Sequence, residues 1–193
     1  MIHRSMTVDE FIQQRSQLPD GGQWAELVRG LPVSLQPPDL EHGTIVLNFS
    51  KAFSKYVHST LDGYACFDLG LQVERSPDTV YFPAVSYFRD GPRFAEIDRE
   101  VTGTVPILVV ELATTADRRS QVSEKIGTYQ QHGVPMVWLA DPHLRTVHVC
   151  ETGKQGNLRL NDADLLSGGD LLPGFEVPVS ELFAPPAWVQ KSD

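Results

Sequence analysis

The fold is decided by one apolar stretch of the sequence, Val105-Pro106-Ile107-Leu108-Val109-Val110-Glu111-Leu112. It is rich in β-branched residues and almost continuously apolar, which is typical of a central strand that is covered on both faces. Its proline stands at the start, where a strand tolerates the missing N–H group. The stretch therefore predicts a buried strand that carries a single acid, Glu111, near its carboxyl end.

The residues after this strand predict a crossover unit. A helix is expected from Asp117 to Gln131, ended by Gly133, and a second buried strand is expected from Pro135 to Asp141. A strand–helix–strand unit of this kind implies two parallel strands joined by a crossover helix. Arg145–Glu151 alternates in polarity and predicts a further strand beside them. We therefore expect an α/β fold in which helices cover a mixed β-sheet.

The first half of the chain predicts the elements that flank this sheet. A capping box at Thr7-Val8-Asp9-Glu10 predicts a helix over Val8–Gln14. Trp24–Val28 and Leu31–Leu35 predict a β-hairpin, and a long helix is expected over Leu40–Ser59. Further elements are expected as strands at Tyr64–Phe67, Leu69–Glu74 and Val80–Phe88, and as a short helix at Val179–Phe183.

Length and composition point to an ordinary globular protein. The 193 residues are 41% hydrophobic and 21% charged, and we expect a single domain over residues 1–193. No stretch approaches the roughly 20 apolar residues of a membrane span, and the first five residues lack the apolar core of a signal peptide. Cys66 and Cys150 do not form a Cys-x-x-Cys pair, so buried thiols in a reducing cytoplasm are expected.

The charge of the chain limits the kinds of function it can have. A formal net charge of −9 counts against a strong sequence-independent nucleic-acid binder, which usually carries a basic patch. It does not exclude a nuclease, because a divalent cation bound by carboxylates reverses the local sign. The sequence contains no Ser/His/Asp signature, no glycine-rich phosphate loop and no His-x-x-x-His pair.

Three charged residues are candidates for a site, and each also has a purely structural interpretation. Glu111 is either turned to solvent or paired with an arginine, or it is a metal ligand at the carboxyl edge of the sheet. Lys125 shares a helix face with Gln121 and Tyr129, and the structural alternative is a solvated face. Glu26 precedes the hairpin turn, and its alternative is an exposed strand residue.

For three further polar residues, a structural role is enough to explain why the residue is present. Asp117 stands in the first turn of its helix, where the helix dipole favours an acid. Asp141 ends a buried strand before a proline and is typical of a turn. His42 opens the long helix and is interpreted as a helix-start or surface histidine.

An ordered set of short motifs resembles the Uma-two family of endonucleases, within the PD-(D/E)XK restriction-endonuclease-like superfamily. The resemblance covers residues 6–183. Each motif is weak alone, but their order is specific. The motifs are Met6-Thr7-Val8-Asp9-Glu10-Phe11, Trp24–Gly30, Pro38–His42, Val109-Val110-Glu111-Leu112, Lys125-x-x-x-Tyr129-x-x-x-Gly133-Val134-Pro135, Trp138–Pro142, Leu172–Pro178 and Glu181-Leu182-Phe183.

The resemblance implies a restriction-endonuclease-like core, preceded by an N-terminal helix and β-hairpin, that hydrolyses phosphodiester bonds of nucleic acid, expected to be DNA. It implies a Mg²⁺ site formed by the Asp of a Pro-Asp dipeptide and by the strand glutamate, with a lysine that orients or stabilises the attacking water. By match, Glu111 is the metal ligand, Lys125 is the lysine and Glu26 is an auxiliary acid of the catalytic set. A homodimer is also expected from the resemblance.

The chain departs from the family pattern at one position. The segment Tyr81-Phe82-Pro83-Ala84-Val85-Ser86 keeps the proline but has Ala84 where the resemblance places the aspartate, and alanine offers no oxygen to a metal. Pro77-Asp78 also spells Pro-Asp. It belongs to the turn before the strand, however, and its aspartate would lie about 20 Å away along an extended chain.

Three hypotheses follow from these residues. The first is a Mg²⁺-dependent endonuclease with a degraded metal site at Ala84. The second is a catalytically inactive pseudo-nuclease that binds nucleic acid or a protein partner. The third is a structural module without a site, and it fails if Glu111, Lys125 and Glu26 converge within a few ångströms in an open cleft.

Overall fold

A computed structural model describes residues 5–92, 94–186 and 189 of the chain. The helices are α1 (Val8–Gln14), α2 (Leu40–Thr60), α3 (Ala116–His132) and α4 (Val179–Leu182). The strands are β1 (Ala25–Val28), β2 (Leu31–Ser34), β3 (Tyr64–Phe67), β4 (Gly70–Glu74), β5 (Thr79–Tyr81), β6 (Val85–Phe88), β7 (Val101–Thr102), β8 (Leu108–Leu112), β9 (Met136–Asp141), β10 (Thr146–Glu151), β11 (Leu158–Leu160), β12 (Leu165–Ser167) and β13 (Glu176–Pro178).

The central layer is a six-stranded mixed sheet in the order β11-β10-β9-β8-β6-β3. Strands β8 and β9 are parallel and are joined by α3, which confirms the predicted crossover unit. The other neighbours in this sheet pair antiparallel. All five residues of β8 are buried, as expected of a strand covered on both faces.

Two layers of side chains cover this sheet. On one face, Phe53 of α2 stacks on Trp138 with ring centroids 6.1 Å apart and packs in a tilted arrangement against Phe175 at 5.0 Å. On the other face, Tyr129 of α3 packs in one buried cluster with Val109. Alternate residues of β8 and β9 thus belong to opposite clusters, which fixes the side of the sheet to which each side chain points.

A second sheet of five strands, in the order β2-β1-β5-β4-β7, was not predicted. It contains the predicted N-terminal hairpin, in which β1 and β2 pair antiparallel. Helix α1 covers it, because Phe11 lies fully buried in one cluster with Leu27 and Val80. Strands β12 and β13 form a separate antiparallel pair.

The prediction of one strand over Val80–Phe88 is wrong. The segment forms β5 in the five-stranded sheet and β6 in the six-stranded sheet, and the chain bends between them at residues 82–84. Pro83 explains the break, since it has no N–H group to donate to a continuous ladder. Ala84 therefore lies in the short connection from one sheet to the other.

Two simpler expectations concern the thiols and membrane spans. Cys66 and Cys150 are both free, and burial raises the pKa of each thiol to about 11. In the part of the chain that the structure describes, no helix has the length and apolar character needed to cross a membrane.

Candidate active site

The register of the six-stranded sheet places Ala84 beside Glu111. Strands β6 and β8 pair with Val85 opposite Val110, and continuation of this register by one pair would set Ala84, in the bend before β6, opposite Glu111. Directly opposite residues have Cβ atoms about 5 Å apart. An aspartate at position 84 would therefore lie within reach of a shared ion with Glu111, whereas alanine leaves a gap.

Glu111 is buried, with 6% of its surface exposed. Its Oε1 accepts a hydrogen bond of 2.6 Å from the Tyr129 hydroxyl and lies 3.6 Å from the Lys125 ammonium. Its Oε2 makes no hydrogen bond with any other described residue, although Glu111 lines a cavity. The alternatives of a solvent-facing or arginine-paired residue are wrong. Burial raises the pKa of Glu111, and the Lys125 charge only partly opposes this.

Lys125 on α3 is 4% exposed, so the alternative of a solvated helix face is wrong. Its ammonium donates a hydrogen bond of 2.6 Å to Glu26 Oε1. Burial alone would lower the pKa of Lys125, but the carboxylates of Glu111 and Glu26 outweigh it and raise that pKa. The lysine is therefore held as a cation between two acids.

Glu26 on β1 is 2% exposed, so it is not the exposed strand residue of the structural alternative. Its Oε1 accepts from Lys125 and also from the Phe82 backbone N–H group at 3.2 Å. Its Oε2 is buried and has no partner among the residues the structure describes. The five-stranded sheet thus contributes Glu26, the six-stranded sheet contributes Glu111, and α3 supplies the cation between them.

These three residues line one cavity of about 150 Å³. Glu26 and Glu111 both lie within 3.6 Å of the Lys125 ammonium, which counts against the structural-module hypothesis. Four other lining residues have no site role that the sequence indicates. They are Arg15, His42, Asp68 and Arg118.

Two arginines bring positive charge to the lining of this cavity. Arg15 donates through Nε to the Gly22 carbonyl at 2.8 Å, and its guanidinium carbon lies 4.0 Å from the centroid of the Phe82 ring. Arg118, on the first turn of α3, donates to the Gln36 carbonyl at 2.8 Å. Their place at the cavity depends on how distant segments meet, and no local pattern in the sequence indicates it.

His42 is half-buried, not a surface histidine. Its Nδ1 shares a hydrogen bond of 3.0 Å with the hydroxyl of Thr114, which lies just after β8. Burial, together with the charge of Arg118, lowers the pKa of His42 to about 4, so the ring is neutral at pH 7. The helix-start position was visible in the sequence, but the contact with Thr114 was not.

Three other acids have structural roles. Asp117 accepts hydrogen bonds from the backbone N–H groups of Gln36 and Arg118. Asp141 Oδ1 accepts from two following N–H groups of its turn. Asp78 Oδ2 accepts from the Val8 N–H group at 2.9 Å and does not line the cavity, which agrees with its rejection as the family aspartate.

The residues present fit a weakly held hard cation, not a preformed metal centre. Among the described residues, no three His, Cys, Asp or Glu side chains are grouped closely enough to hold a metal ion. Mg²⁺ usually takes only one or two carboxylates and completes its shell with waters and substrate phosphate. Glu111 Oε2 faces no competing donor among the described residues and fits such a ligand, while Ala84 supplies none.

The arrangement of sheets, helices and buried charges defines a restriction-endonuclease-like protein. The fold is similar to a crystal structure from Anabaena variabilis described as a "putative nuclease belonging to DUF820", with 21% identity and a TM-score of 0.74 over 92% of this chain and 97% of that one. The family model Uma2, described as "putative restriction endonuclease", matches residues 8–180. The chain belongs to the Uma2 family. No curated protein matches it.

Proposed function

We propose that the chain is a metal-dependent endonuclease that hydrolyses phosphodiester bonds of nucleic acid at the Glu26–Glu111–Lys125 cavity. The observation that carries this proposal is the meeting of these three buried groups in one cavity that Arg15 and Arg118 also line. Buried charges are costly unless they are paired or serve a function. Membership of a nuclease family supports the reaction class.

Each residue has a distinct role in this proposal. Glu111 would hold the cation, and a cation bound there would supply Lewis-acid activation of a water and of the phosphate. Lys125 supplies a compact positive charge for the negative charge that develops on the phosphate oxygens. Glu26 holds the lysine in place through the 2.6 Å hydrogen bond. Arg15 and Arg118 attract the phosphodiester backbone to a chain whose net charge is −9.

A cleavage assay tests the proposal and its substrate class. Supercoiled plasmid DNA and a single-stranded RNA are incubated with the protein and Mg²⁺ or Mn²⁺. We expect cleavage of DNA that Glu111→Gln reduces at least a hundredfold. The matched control is Glu176→Gln, an exposed glutamate on β13 that should have no effect. The proposal fails if neither substrate is cut with either ion, or if Glu111→Gln cuts as fast as the wild type.

The alternative is a pseudo-nuclease that binds nucleic acid or a protein partner without cleavage, and Ala84 is the observation that favours it. Loss of a carboxylate weakens metal binding, because affinity follows the number of charged ligands. Ala84→Asp distinguishes the two functions. If only this variant cleaves DNA, the wild type is the pseudo-nuclease.

Three finer expectations belong to the same proposal. The ion is Mg²⁺, since the expected ligands are oxygens. The protein acts in the cytoplasm as one domain, which the two free thiols support. A homodimer is proposed from the family resemblance alone. Light scattering on the purified protein measures its mass directly.

A further inference from the structure

Strand β6, which follows Ala84, has a second neighbour in the sheet, β3. Strands β3 and β6 pair up to Phe67 opposite Val85, and Asp68 and Ala84 are the residues that adjoin this last pair outside the two strands, Asp68 with a φ of 51°. Ala84 thus adjoins the end of β6, whose two neighbours in the sheet, β3 and β8, lead to Asp68 and Glu111. All three residues line the same cavity.

The spacing of this row suits a shared ion. Strands lie about 4.8 Å apart, and β3 and β8 are the two neighbours of β6, so the end of β3 that leads to Asp68 and the strand of Glu111 are about 10 Å apart. An aspartate and a glutamate side chain that lean toward each other, with metal–oxygen distances of about 2.1 Å on each side, span such a gap. The small side chain of Ala84 leaves the space between them open.

The Asp68 carboxylate is available for this role. It makes no hydrogen bond or ion pair with the other residues that the structure describes, and it is exposed at the cavity. Partial burial raises the pKa of Asp68, while Arg118 and Arg15 act in the opposite direction.

Two further unpartnered oxygens point to a missing ligand. Within the described residues, Oε2 of Glu26 is buried without a donor and Oε2 of Glu111 also has none, although both side chains are more than nine-tenths buried. Carboxylate oxygens left without donors in a cavity are the ligands that a hard divalent cation takes.

We propose that Asp68 replaces the carboxylate missing at position 84, so that a divalent cation is held between Asp68 and Glu111 above Ala84. This inference rests on the proposed function, because it names the second ligand of the same site. It needs only two protein carboxylates, which agrees with the absence of a three-residue cluster among the described residues. Asp68, which follows β3, thereby takes the ligand role that the resemblance assigns to an aspartate at position 84.

Calorimetric titration of Mn²⁺ into the full-length protein, without nucleic acid, tests the inference. We expect one site in the wild type and at least tenfold weaker binding in Asp68→Asn, which keeps the side-chain shape. The matched control is Asp170→Asn, which removes the same charge from an exposed position that does not line the cavity. Glu111→Gln should weaken the same site.

Four results would overturn the inference. These are wild-type protein that binds no Mn²⁺, an Asp68→Asn variant that binds like the wild type, equal losses in Asp68→Asn and Asp170→Asn, and a loss in Asp68→Asn alone while Glu111→Gln binds normally. The failure of the proposed function gives a different result. If Mn²⁺ binding depends on Asp68 but the protein does not cleave nucleic acid, the inference holds and the proposed function fails. If the protein cleaves and Asp68→Asn does not impair cleavage, the proposed function holds and the inference fails.

Discussion

At the residue scale, the cation of Lys125 is what allows two acids to be buried within a few ångströms of each other. Its ammonium lies 2.6 Å from Glu26 Oε1 and 3.6 Å from Glu111 Oε1. A buried cluster of charges contributes little net stability compared with apolar residues of the same shape. Removal of one charge, however, leaves the others buried without compensation, which destabilises the fold. The charges are therefore better explained by chemistry at the cavity than by stability.

Lys125→Met should destabilise the fold by about 3–5 kcal/mol, because it leaves two buried carboxylates without their cation. Urea unfolding at pH 7 measures this. The control is Lys154→Met, whose lysine pairs with Glu151 at 2.6 Å but is 67% exposed. That exposed pair should be worth less than about 1 kcal/mol. Equal effects of the two substitutions would contradict the assignment of a buried charge cluster.

His42 should make the fold sensitive to mild acid. Its folded-state pKa of about 4 lies below the value of about 6.5 expected in the unfolded chain. Between these values the unfolded chain binds more protons, so stability is fully present above about pH 6.5 and falls as the pH drops toward 4. His42→Asn should lose less stability between pH 7 and pH 5 than the wild type, as measured by urea midpoints. Equal losses would contradict this.

At the element scale, the strongest sequence patterns gave the most accurate predictions. The capping box set the bounds of α1, and the apolar runs around Glu111 and Trp138 set β8 and β9. Local patterns failed where long-range contact decides the outcome. The apolar neighbours of Pro83 predict a continuous strand where the chain bends, and no local pattern indicates that Asp68 lines a cavity with Ala84.

Alanine substitutions at two glycines, Gly127 within α3 and Gly133 just after it, should change the stability of the fold in opposite directions. Gly133 ends the helix with a φ of 103°, so Gly133→Ala should destabilise the fold by about 1–2 kcal/mol through backbone strain. Gly127 lies within the helix with no other atom within 4 Å of an added Cβ. Gly127→Ala should therefore stabilise by about 0.5–1 kcal/mol. Thermal unfolding compares them, and the same sign for both would contradict the helix boundary.

At the scale of the whole molecule, the cavity exists because two sheets and a crossover helix meet at one point. Glu26 comes from the five-stranded sheet, Glu111 from the six-stranded sheet and Lys125 from α3. The sequence indicated these three residues through the family resemblance. It could not show that they touch, nor that Arg15 and Arg118 concentrate positive charge there in a chain of net charge −9.

The central claim is that this cavity is a nuclease centre that depends on Glu111 and to which position 84 supplies no carboxylate. The most direct test is the initial rate of plasmid cleavage at a Mg²⁺ concentration below saturation, for the wild type, Ala84→Asp, Glu111→Gln and the Ala84→Asp/Glu111→Gln double variant. We predict slow cleavage by the wild type, at least tenfold faster cleavage by Ala84→Asp, and loss of both activities with Glu111→Gln. The claim is contradicted if folded Ala84→Asp protein gains no Glu111-dependent cleavage.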